Sequence, residues 1–424
     1  MKWKVSRSVL NGTISIPPSK SHTIRALLIA TLADGQSVIH KPLLKGDGAS
    51  ALQAAKALGA DITIDGDSLT INGTGRDFNR GQEFLYLGNS GTGTNLFASV
   101  AALGSRMRRF DGDNSLRSRP FKPILEALQK LGATYKFEST TSDLPFTIQG
   151  PIRGGETEVN GISSQFLSSI LLAAPLVQNG KTICNVYNLH ERPYVELTLW
   201  WLSKQNISIE YDSSLTKFII PGNQHYTPFE LRVPADFSSA TFAAVGGAIT
   251  GGSLSLTGLD FSDPQGDKGV FTVLSQTGAD VKTTGNTSVS SRSRLTGRVI
   301  DLNDMPDALP ALSVLACMCE GETRFVNVSQ ARIKETDRIA VMCKELSKMG
   351  ADIQEQPDGL IIRKSTLKGA LVNGHDDHRV VMALALAGMV ADGETVIETA
   401  EAADVTYPTF VGDFQKIGAN IQIV

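Results

Sequence analysis

The strongest constraint on the fold is a pattern that occurs six times along the 424 residues. In its first copy, Ile14 and Ile16 alternate with polar residues, which predicts a short strand. Pro17 and Pro18 end that strand, and a helix with an apolar stripe follows and ends by Gly35. The same order of strand, polar or glycine-containing turn and apolar helix occurs at residues 84–105, 157–180, 231–252, 300–321 and 370–393.

A second marker follows each copy and predicts where another helix ends. It is a glycine before alanine at Gly59, Gly132, Gly278, Gly350 and Gly418, with a degenerate sixth copy at residues 204–207. Each marker predicts a helix C-cap followed by a strand. Self-similarity of this kind predicts six copies of one supersecondary unit, each with several strands and at least two helices.

The length of the chain predicts two domains, because a single core rarely serves this many residues. Three units per domain is the natural division. The break is expected near Pro234, where V-P-A-D is similar to the I-P-P-S of the first copy. Residues 1–17 are predicted to be an extra strand pair that could complete either domain.

Composition excludes several classes of protein. A hydrophobic content of 41% and a charged content of 20% are typical of a soluble globular protein. A net charge of −3 argues against a general nucleic-acid binder. The first residues lack the apolar core of a signal peptide, and the most apolar stretch is too short to span a membrane. Four cysteines suit a reducing compartment. Cytoplasm is therefore the expected location.

The first helix start is predicted to bind an anion. Lys20, Ser21 and Arg25 lie at or beside it, where exposed backbone N–H groups and the helix dipole favour negative charge. Ser163, Ser164 and Gln165 supply neutral donors at another helix start. A phosphate or carboxylate ligand fits both sets.

Other polar runs each have two interpretations. Arg117 and Arg119 are either surface basicity or a clamp for an anion. Lys334, Glu335, Asp337 and Arg338 open a predicted helix to Met349, either as a solvated first turn or as part of a ligand site. Asp304 and Asp307 are helix caps or functional acids. In the run 375–379, Asp376 and Asp377 are good caps, and Arg379 disfavours a metal site. Walker A and G-x-G-x-x-G motifs are absent from the sequence.

Short fragments in a fixed order match one enzyme family. They are P-S-K-S-H-T-I-R-A-L-L, L-G-N-S-G-T, D-N-S-L-R-S-R-P, S-S-Q-F-L-S-S-I-L-L-A-A-P, R-P-Y-V-E-L-T, M-P-D-A, R-I-K-E-T-D-R, D-H-R and T-Y-P. The whole chain thereby resembles the 5-enolpyruvylshikimate-3-phosphate synthase family of enolpyruvyl transferases. The resemblance implies an α/β fold, an inside-out α/β barrel of two domains with three βαβαββ units each. It implies a first domain at 18–234, a second at 1–17 and 235–424, and a hinge near Pro17-Pro18 and Pro234.

The resemblance also implies an activity. The enolpyruvyl group of phosphoenolpyruvate moves to the 5-hydroxyl of 3-phosphoshikimate, and phosphate is released, in a step of chorismate and aromatic amino acid biosynthesis. No metal or organic cofactor is implied. The expected partners are these two substrates, without nucleic acid or membrane, and the expected state is a cytoplasmic monomer.

The family pattern assigns roles to residues of this chain. It implies that phosphoenolpyruvate is held by Lys20, Gly91, Arg119, Gln165, Arg338 and Arg379. It implies that the acceptor is held by Ser21 and Arg25 at its carboxylate, by Ser163 and Ser164 at its phosphate, and by Asp307 and Lys334 at its hydroxyls, while Asn89 and Tyr194 complete the substrate-binding set. The catalytic residues implied are Asp307 as the base and Lys20 and Glu335 as proton donors to the methylene carbon.

At four positions the chain departs from the usual family residue. Asn95 replaces an arginine, Glu191 a phosphate-binding serine, Gln330 an asparagine and Val405 a lysine. Two alternatives therefore stay open beside the family activity: a divergent enolpyruvyl transferase with another acceptor, and a non-catalytic paralogue that binds a pathway metabolite.

Overall fold

The computed structural model describes residues 1–284, 287–290 and 294–424. The chain divides into two compact units. The N-terminal unit is Pro18–Val233, and the C-terminal unit combines Met1–Pro17 with Pro234–Val424. Each unit has a hydrophobic core of its own.

The strands are short, as expected for units that repeat every seventy or so residues. In the described part of the chain they are β1 (Lys2–Ser6), β2 (Asn11–Ser15), β3 (Gln36–His40), β4 (Asp61–Asp65), β5 (Ser68–Asn72), β6 (Phe84–Tyr86), β7 (Arg108–Asp111), β8 (Thr134–Phe137), β9 (Phe146–Gln149), β10 (Gly155–Asn160), β11 (Lys181–Tyr187), β12 (Glu210–Tyr211), β13 (Lys217–Pro221), β14 (Glu230–Arg232), β15 (Ser253–Thr257), β16 (Asp280–Lys282), β17 (Thr287–Ser290), β18 (Val299–Asp301), β19 (Glu322–Val326), β20 (Asp352–Gln356), β21 (Gly359–Arg363), β22 (Leu371–Asn373), β23 (Thr395–Glu398) and β24 (Asn420–Ile423).

Helices separate most of these strands. They are α1 (Lys20–Leu32), α2 (Gly46–Ala57), α3 (Gly91–Ala101), α4 (Asn114–Arg117), α5 (Lys122–Lys130), α6 (Ser164–Ala173), α7 (Arg192–Lys204), α8 (Phe237–Ile249), α9 (Gly269–Thr277), α10 (Leu309–Met318), α11 (Arg338–Lys348), α12 (His378–Val390) and α13 (Phe410–Lys416). Short 3₁₀ segments lie at Ala174–Leu176, Gly266–Lys268, Pro306–Ala308, Ser329–Ile333 and Ala400–Val405.

The described strands form six four-stranded sheets with one common topology. Their orders are β14-β3-β5-β4, β6-β7-β9-β8, β10-β11-β13-β12, β2-β15-β17-β16, β18-β19-β21-β20 and β22-β23-β1-β24. In every sheet the first two strands are parallel and the remaining pairs are antiparallel. A parallel pair needs a crossover, which a helix supplies. The order β6-α3-β7-α5-β8-β9, with the short α4 in one connection, thus gives the predicted βαβαββ unit.

The first seventeen residues correct one prediction. We expected β1 and β2 to pair with each other, but they lie in different sheets of the C-terminal unit. β1 pairs with β23 and β24, whereas β2 pairs with β15. Each fills a position that its repeat lacks, because β1 replaces the last strand of the sixth unit and β2 the first strand of the fourth. Unpaired backbone groups of a sheet are thereby satisfied.

Six helices are buried almost all round and form the centre of the units. They are α1, α3 and α6 in the N-terminal unit and α8, α10 and α12 in the C-terminal unit. These are the six apolar helices of the repeated sequence pattern. A helix that is apolar on every face is stable only inside a core. Their first turns carry the polar residues that the sequence singled out.

The predicted helix ends are confirmed by backbone conformation. Gly59, Gly132, Gly278, Gly350 and Gly418 have φ of 100°, 102°, 108°, 87° and 104°. The degenerate copy ends with Asn206 at φ 55°. Asparagine tolerates the left-handed region better than most residues, which explains why it can stand in for glycine.

A second correction concerns the run before α11. Lys334 and Glu335 precede the helix, which begins at Arg338 after the cap residue Asp337. The Asp337 carboxylate accepts from the amide of Ala340 at 3.0 Å, and this contact fixes the start. Among the described residues, the helices are too short or too polar to cross a membrane.

Candidate active site

Three core helices of the N-terminal unit begin with a serine cap. Ser19, Ser90 and Ser163 accept from first-turn amides of α1, α3 and α6 at 3.4, 3.1 and 3.4 Å. Each cap fixes the direction of the chain where the helix starts. The next residues are Lys20, Gly91 and Ser164, so the sequence-predicted residues occupy equivalent positions of three repeats.

Lys20 has a carboxylate partner that sequence reasoning missed. Its Nζ lies 3.2 Å from Oδ2 of Asp47, in the first turn of α2. The lysine side chain is 11% exposed and the aspartate 3%. The pair joins residues from two helices, and no local motif around Asp47 marks it. Asp47 therefore sets the position of the Lys20 ammonium group.

Arg25 is buried among neutral acceptors. It donates to Thr198 Oγ1 at 3.0 Å, the Ser21 carbonyl at 3.1 Å, the Tyr194 carbonyl at 3.2 Å and Ser168 Oγ at 3.4 Å. Burial lowers the pKa of Arg25 to about 10. A buried cation among neutral acceptors favours an anionic ligand. Thr198 and Ser168 were not predicted from the sequence.

Arg119 approaches the start of α3 through Asn89. Its Nη2 donates to Asn89 Oδ1 at 2.5 Å, and Asn89 Nδ2 donates to Asp113 at 3.2 Å. A Cβ on Gly91 would lie 2.4 Å from Arg119 Nη1, so only glycine admits this approach. Asn89, Gly91 and Arg119 therefore come together as one group.

Of the two interpretations of Arg117, its contacts favour surface basicity over a clamp with Arg119. Arg117 binds Asp111 through Nε at 3.0 Å and Nη2 at 2.9 Å, and its side chain is largely exposed. The short helix α4 ends at Arg117, and its backbone turns before Arg119. The carboxylate of Asp111 thus draws Arg117 away from the group formed by Arg119.

Gln165 is held by two residues of α3. Asn95 Nδ2 donates to Gln165 Oε1 at 2.8 Å, and Gln165 Nε2 donates to Thr92 Oγ1 at 3.2 Å. Asn95 is buried and also donates to the Gly91 carbonyl at 3.0 Å. A bond at each end of the Gln165 amide fixes its orientation.

Ser164 binds a carboxylate of the chain itself. Its hydroxyl donates to Glu191 Oε2 at 2.8 Å, and its backbone N–H points to the same oxygen at 3.3 Å. Glu191 is 1% exposed. Tyr194 enters this region through its backbone, since its N–H donates to the Glu191 carbonyl at 3.0 Å and its own carbonyl accepts from Arg25.

The C-terminal unit contains a second group, centred on Arg338. This guanidinium is fully buried and donates to Glu335 at 2.6 Å, Asp307 at 2.8 Å and Asp377 at 2.8 Å. Burial would lower the pKa of Arg338, but Asp377, Glu335 and Asp307 outweigh it and raise that pKa. Three carboxylates around one guanidinium form a fixed charged cluster.

Asp307 lies between two arginines. Its Oδ1 accepts from Arg338 and its Oδ2 from Arg379, each at 2.8 Å. Met305, not Asp307, occupies the cap position of the 3₁₀ segment, so the acid is not a cap. Lys334 follows the segment Ser329–Ile333 and is partly buried. Asp307 and Glu335 thus belong to one cluster with Arg338 and Arg379.

Asp377 is the residue of this cluster that the sequence left ambiguous. Its carboxylate caps α12 by accepting from the Arg379 amide at 2.9 Å and also binds Arg338. Burial would raise the pKa of Asp377, but the positive charge of Arg338 overrides this and lowers it. Asp376 has a left-handed backbone and is not the cap. The structure thus separates the two aspartates that the sequence predicted equally as caps.

Comparisons with known proteins agree on one family. The model of the family described as EPSP synthase (3-phosphoshikimate 1-carboxyvinyltransferase) matches residues 5–414. The 3-phosphoshikimate 1-carboxyvinyltransferase of Ruminiclostridium cellulolyticum is 48% identical over 424 residues, which cover 100% of both chains. That of Acetivibrio thermocellus is 48% identical over 421 residues, or 99% of both.

Similarity in three dimensions leads to the same result. A solved EPSP synthase from Acinetobacter baumannii superposes with a TM-score of 0.83 at 26% identity and covers 100% of both chains. The family and fold predicted from the motifs are confirmed. The chain belongs to the EPSP synthase (3-phosphoshikimate 1-carboxyvinyltransferase) family and has its two-domain α/β fold.

Proposed function

We propose that the two polar groups described above carry out one reaction, the transfer of a 1-carboxyvinyl group from phosphoenolpyruvate to the 5-hydroxyl of 3-phosphoshikimate. The chain is an enzyme of the shikimate pathway by its family. The observation that carries the residue assignment is Asp307, which is held at 2.8 Å by both Arg338 and Arg379. A carboxylate fixed in this way has a defined direction in which to accept a proton.

The N-terminal unit is proposed to bind the acceptor. Arg25 and Ser21 would hold the acceptor's carboxylate, which suits a buried guanidinium that donates to neutral oxygens. Ser163 and Ser164 would hold the phosphate at the start of α6, where backbone N–H groups and the helix dipole favour an anion. Tyr194 lies beside both sets through its backbone.

The residues proposed to hold phosphoenolpyruvate are assigned for each unit by itself. Lys20 and Arg119 supply cations in the N-terminal unit, and Gly91 with Asn89 gives Arg119 its approach. Gln165, fixed by Asn95 and Thr92, supplies a neutral donor. Arg338 and Arg379 supply the cations of the C-terminal unit. Cations fixed before the reaction stabilise the phosphate as it departs.

The proposed chemistry proceeds through a tetrahedral intermediate. Asp307 takes the proton of the 5-hydroxyl, whose oxygen bonds to C2 of phosphoenolpyruvate, while Lys334 orients the acceptor's hydroxyls. Glu335 or Lys20 gives a proton to the methylene carbon, which becomes a methyl group. The C2–O bond to phosphate then breaks, the methyl group loses a proton, and the double bond forms again. General acid and base groups contribute about 10²–10⁴-fold each in such steps.

Phosphate release in the presence of different acceptors tests this proposal. We expect purified protein to release phosphate from phosphoenolpyruvate when 3-phosphoshikimate is present and not when shikimate replaces it. Release only with another acceptor would favour a divergent transferase, and binding without release would favour a non-catalytic paralogue. We also propose a cytoplasmic monomer, which sedimentation of the native protein and fractionation of the source cells would check.

A further inference from the structure

Glu191 lies before α7, yet its carboxylate serves the start of α6. Two donors of Ser164, the hydroxyl at 2.8 Å and the backbone N–H at 3.3 Å, meet the same oxygen, Oε2. The serine is 2% exposed and the glutamate 1%. This contact is therefore a buried, charge-assisted pair of hydrogen bonds, which is stronger than its neutral equivalent.

The backbone at Glu191 is adapted to this contact. The residue has φ 55° and ψ 42°, in the left-handed region that side chains rarely adopt, and it occupies the cap position of α7. Its carboxylate makes no cap hydrogen bond to α7. Strained backbone of this kind persists where surrounding contacts hold it. The contact with Ser164 is one that can hold Glu191 in this conformation.

An acceptor phosphate at the start of α6 would need the same donors. One oxygen of a phosphate would take the Ser164 hydroxyl and N–H that Glu191 Oε2 now takes, and two anions cannot share them without mutual repulsion. We propose that Glu191 is a specificity-determining residue, an internal anion that competes with the acceptor's phosphate for Ser164. This inference rests on the acceptor site of the proposed function.

This competition weakens binding of the acceptor's phosphate group and leaves binding of its ring and carboxylate unaffected. The Glu191 side chain must leave Ser164 before 3-phosphoshikimate binds fully. Part of the binding free energy that the phosphate contributes is therefore offset. Shikimate, which has the same ring and carboxylate but lacks the phosphate, does not require this exchange. The difference in affinity between 3-phosphoshikimate and shikimate is therefore smaller than the Ser164 donors would produce without Glu191.

Calorimetric titration of 3-phosphoshikimate and shikimate into two variants tests the competition. For Glu191→Ala we expect the Kd of 3-phosphoshikimate to fall about tenfold or more, because like charge at the donors is removed. The Kd of shikimate should change by less than about twofold on the same argument. Glu191→Gln keeps an acceptor for Ser164 without the charge, so its Kd for 3-phosphoshikimate should lie between those of wild type and the alanine variant.

Glu196→Gln is the matched control. Glu196 lies on the same helix, but its partner is Arg192 at 2.9 Å, so wild-type affinity is expected. Affinity for 3-phosphoshikimate that is unchanged or weaker in both folded Glu191 variants would overturn the proposal. An equal decrease in the Kd values of 3-phosphoshikimate and shikimate would also overturn the proposal.

The inference and the proposed function fail differently. If wild type turns over 3-phosphoshikimate and the Glu191 variants bind it no more tightly, only the inference fails. If neither wild type nor the variants bind or turn over 3-phosphoshikimate, both fail. If the variants alone bind it tightly, the competition is supported.

Discussion

In the proposed mechanism, Asp307 is the residue on which the chemistry depends most. Arg338 and Arg379 each donate to it at 2.8 Å, and both arginines are almost fully buried. The two guanidinium groups hold the oxygens of the carboxylate in place. The proposed mechanism gives Asp307 two roles, a negative charge that pairs with the arginines and a base that accepts a proton, and substitution can separate them.

The variant Asp307→Asn keeps the shape of the side chain and removes its basicity. We expect substrate binding to remain and kcat to fall by about two to four orders of magnitude, as for loss of a general base. Fixed-time assays of phosphate release measure kcat, and calorimetric titration measures substrate binding. Asp304→Asn, at an exposed acid three residues earlier, is the control and should keep wild-type turnover. Turnover of Asp307→Asn within a few-fold of wild type would place the base elsewhere.

Single residues also show which features could be predicted from the sequence and which could not. Serine caps, left-handed glycines and the group of polar residues at helix starts were predictable, because each depends on neighbours within a turn. The partners Asp47 and Glu191 were not predicted, since their contacts join residues 27 positions apart and leave no local pattern. The two interpretations of Arg117 could not be separated from the sequence, because its distance from Asp111 depends on how the chain turns after β7.

At the scale of elements, the start of α3 shows how a helix start can position an arginine that is proposed to bind substrate. Gly91 is its first residue, and a Cβ there would meet Arg119 Nη1 at 2.4 Å. Arg119 would have to shift and lose its bond to Asn89. The atom that moves is the end of a flexible side chain, so the fold should tolerate the change while the site does not.

We therefore expect Gly91→Ala to raise the KM for phosphoenolpyruvate by about tenfold or more, from the loss of a charge-assisted contact worth about 1.5–3 kcal/mol. The melting temperature should change little. Gly412→Ala, in α13 where a Cβ would have open space, is the control. Steady-state kinetics with both variants would contradict the assignment of Arg119 if the KM for phosphoenolpyruvate stayed the same.

The start of α12 is coupled to α11 through a buried ion pair. Asp377 caps α12 and binds Arg338, the first residue of α11. Removing the partner of a buried charge costs about 3–5 kcal/mol when no other partner remains, and Arg338 keeps Glu335 and Asp307, so the lower end of this range is expected. Asp377→Asn should lower the free energy of unfolding of the C-terminal unit by an amount of this order, whereas Asp376→Asn, at an exposed neighbour, should not.

The same pair gives a pH dependence with a definite sign. The folded pKa of Asp377 is lowered, so its stabilising contribution is complete above the unfolded value, about 3.9, and is lost as pH falls through the folded pKa. Urea denaturation of wild type and Asp377→Asn should differ most near pH 7 and converge below about pH 4. A difference that persists unchanged into strong acid would mean that the charge of Asp377 is not its source.

At the scale of the whole molecule, six repeats predicted the fold well because three of the described sheets are each built from one continuous stretch of chain, and each of the other three needs only one distant strand. The distant strands are β1, β2 and β14, whose sheet partners lie more than 190 positions away and could not be deduced from periodicity. The chain passes between the two units at Pro17–Pro18 and Val233–Pro234. A hinge at these crossings stays a prediction.

Two units with separate cores can unfold separately, but the proposed function assigns substrate-binding residues to each unit, so the substrates are expected to stabilise both. We expect saturating phosphoenolpyruvate and 3-phosphoshikimate to raise the melting temperature and to give a single transition. A ligand at a hundredfold excess over its Kd contributes about 2.7 kcal/mol. Arg25→Ala, in the N-terminal unit, should abolish the shift for the whole chain. A shift confined to one transition would show that one unit binds the substrates alone.

The most direct test of the central claim is detection of the product. Wild-type protein and Asp307→Asn are incubated with phosphoenolpyruvate labelled with ¹³C at C2 and with 3-phosphoshikimate, and the mixture is followed by ¹³C and ³¹P NMR. We predict an enol ether carbon and an equal amount of inorganic phosphate with wild type, and about a hundredfold less of both with Asp307→Asn. Binding of both substrates by wild-type protein without formation of the enol ether would contradict the account.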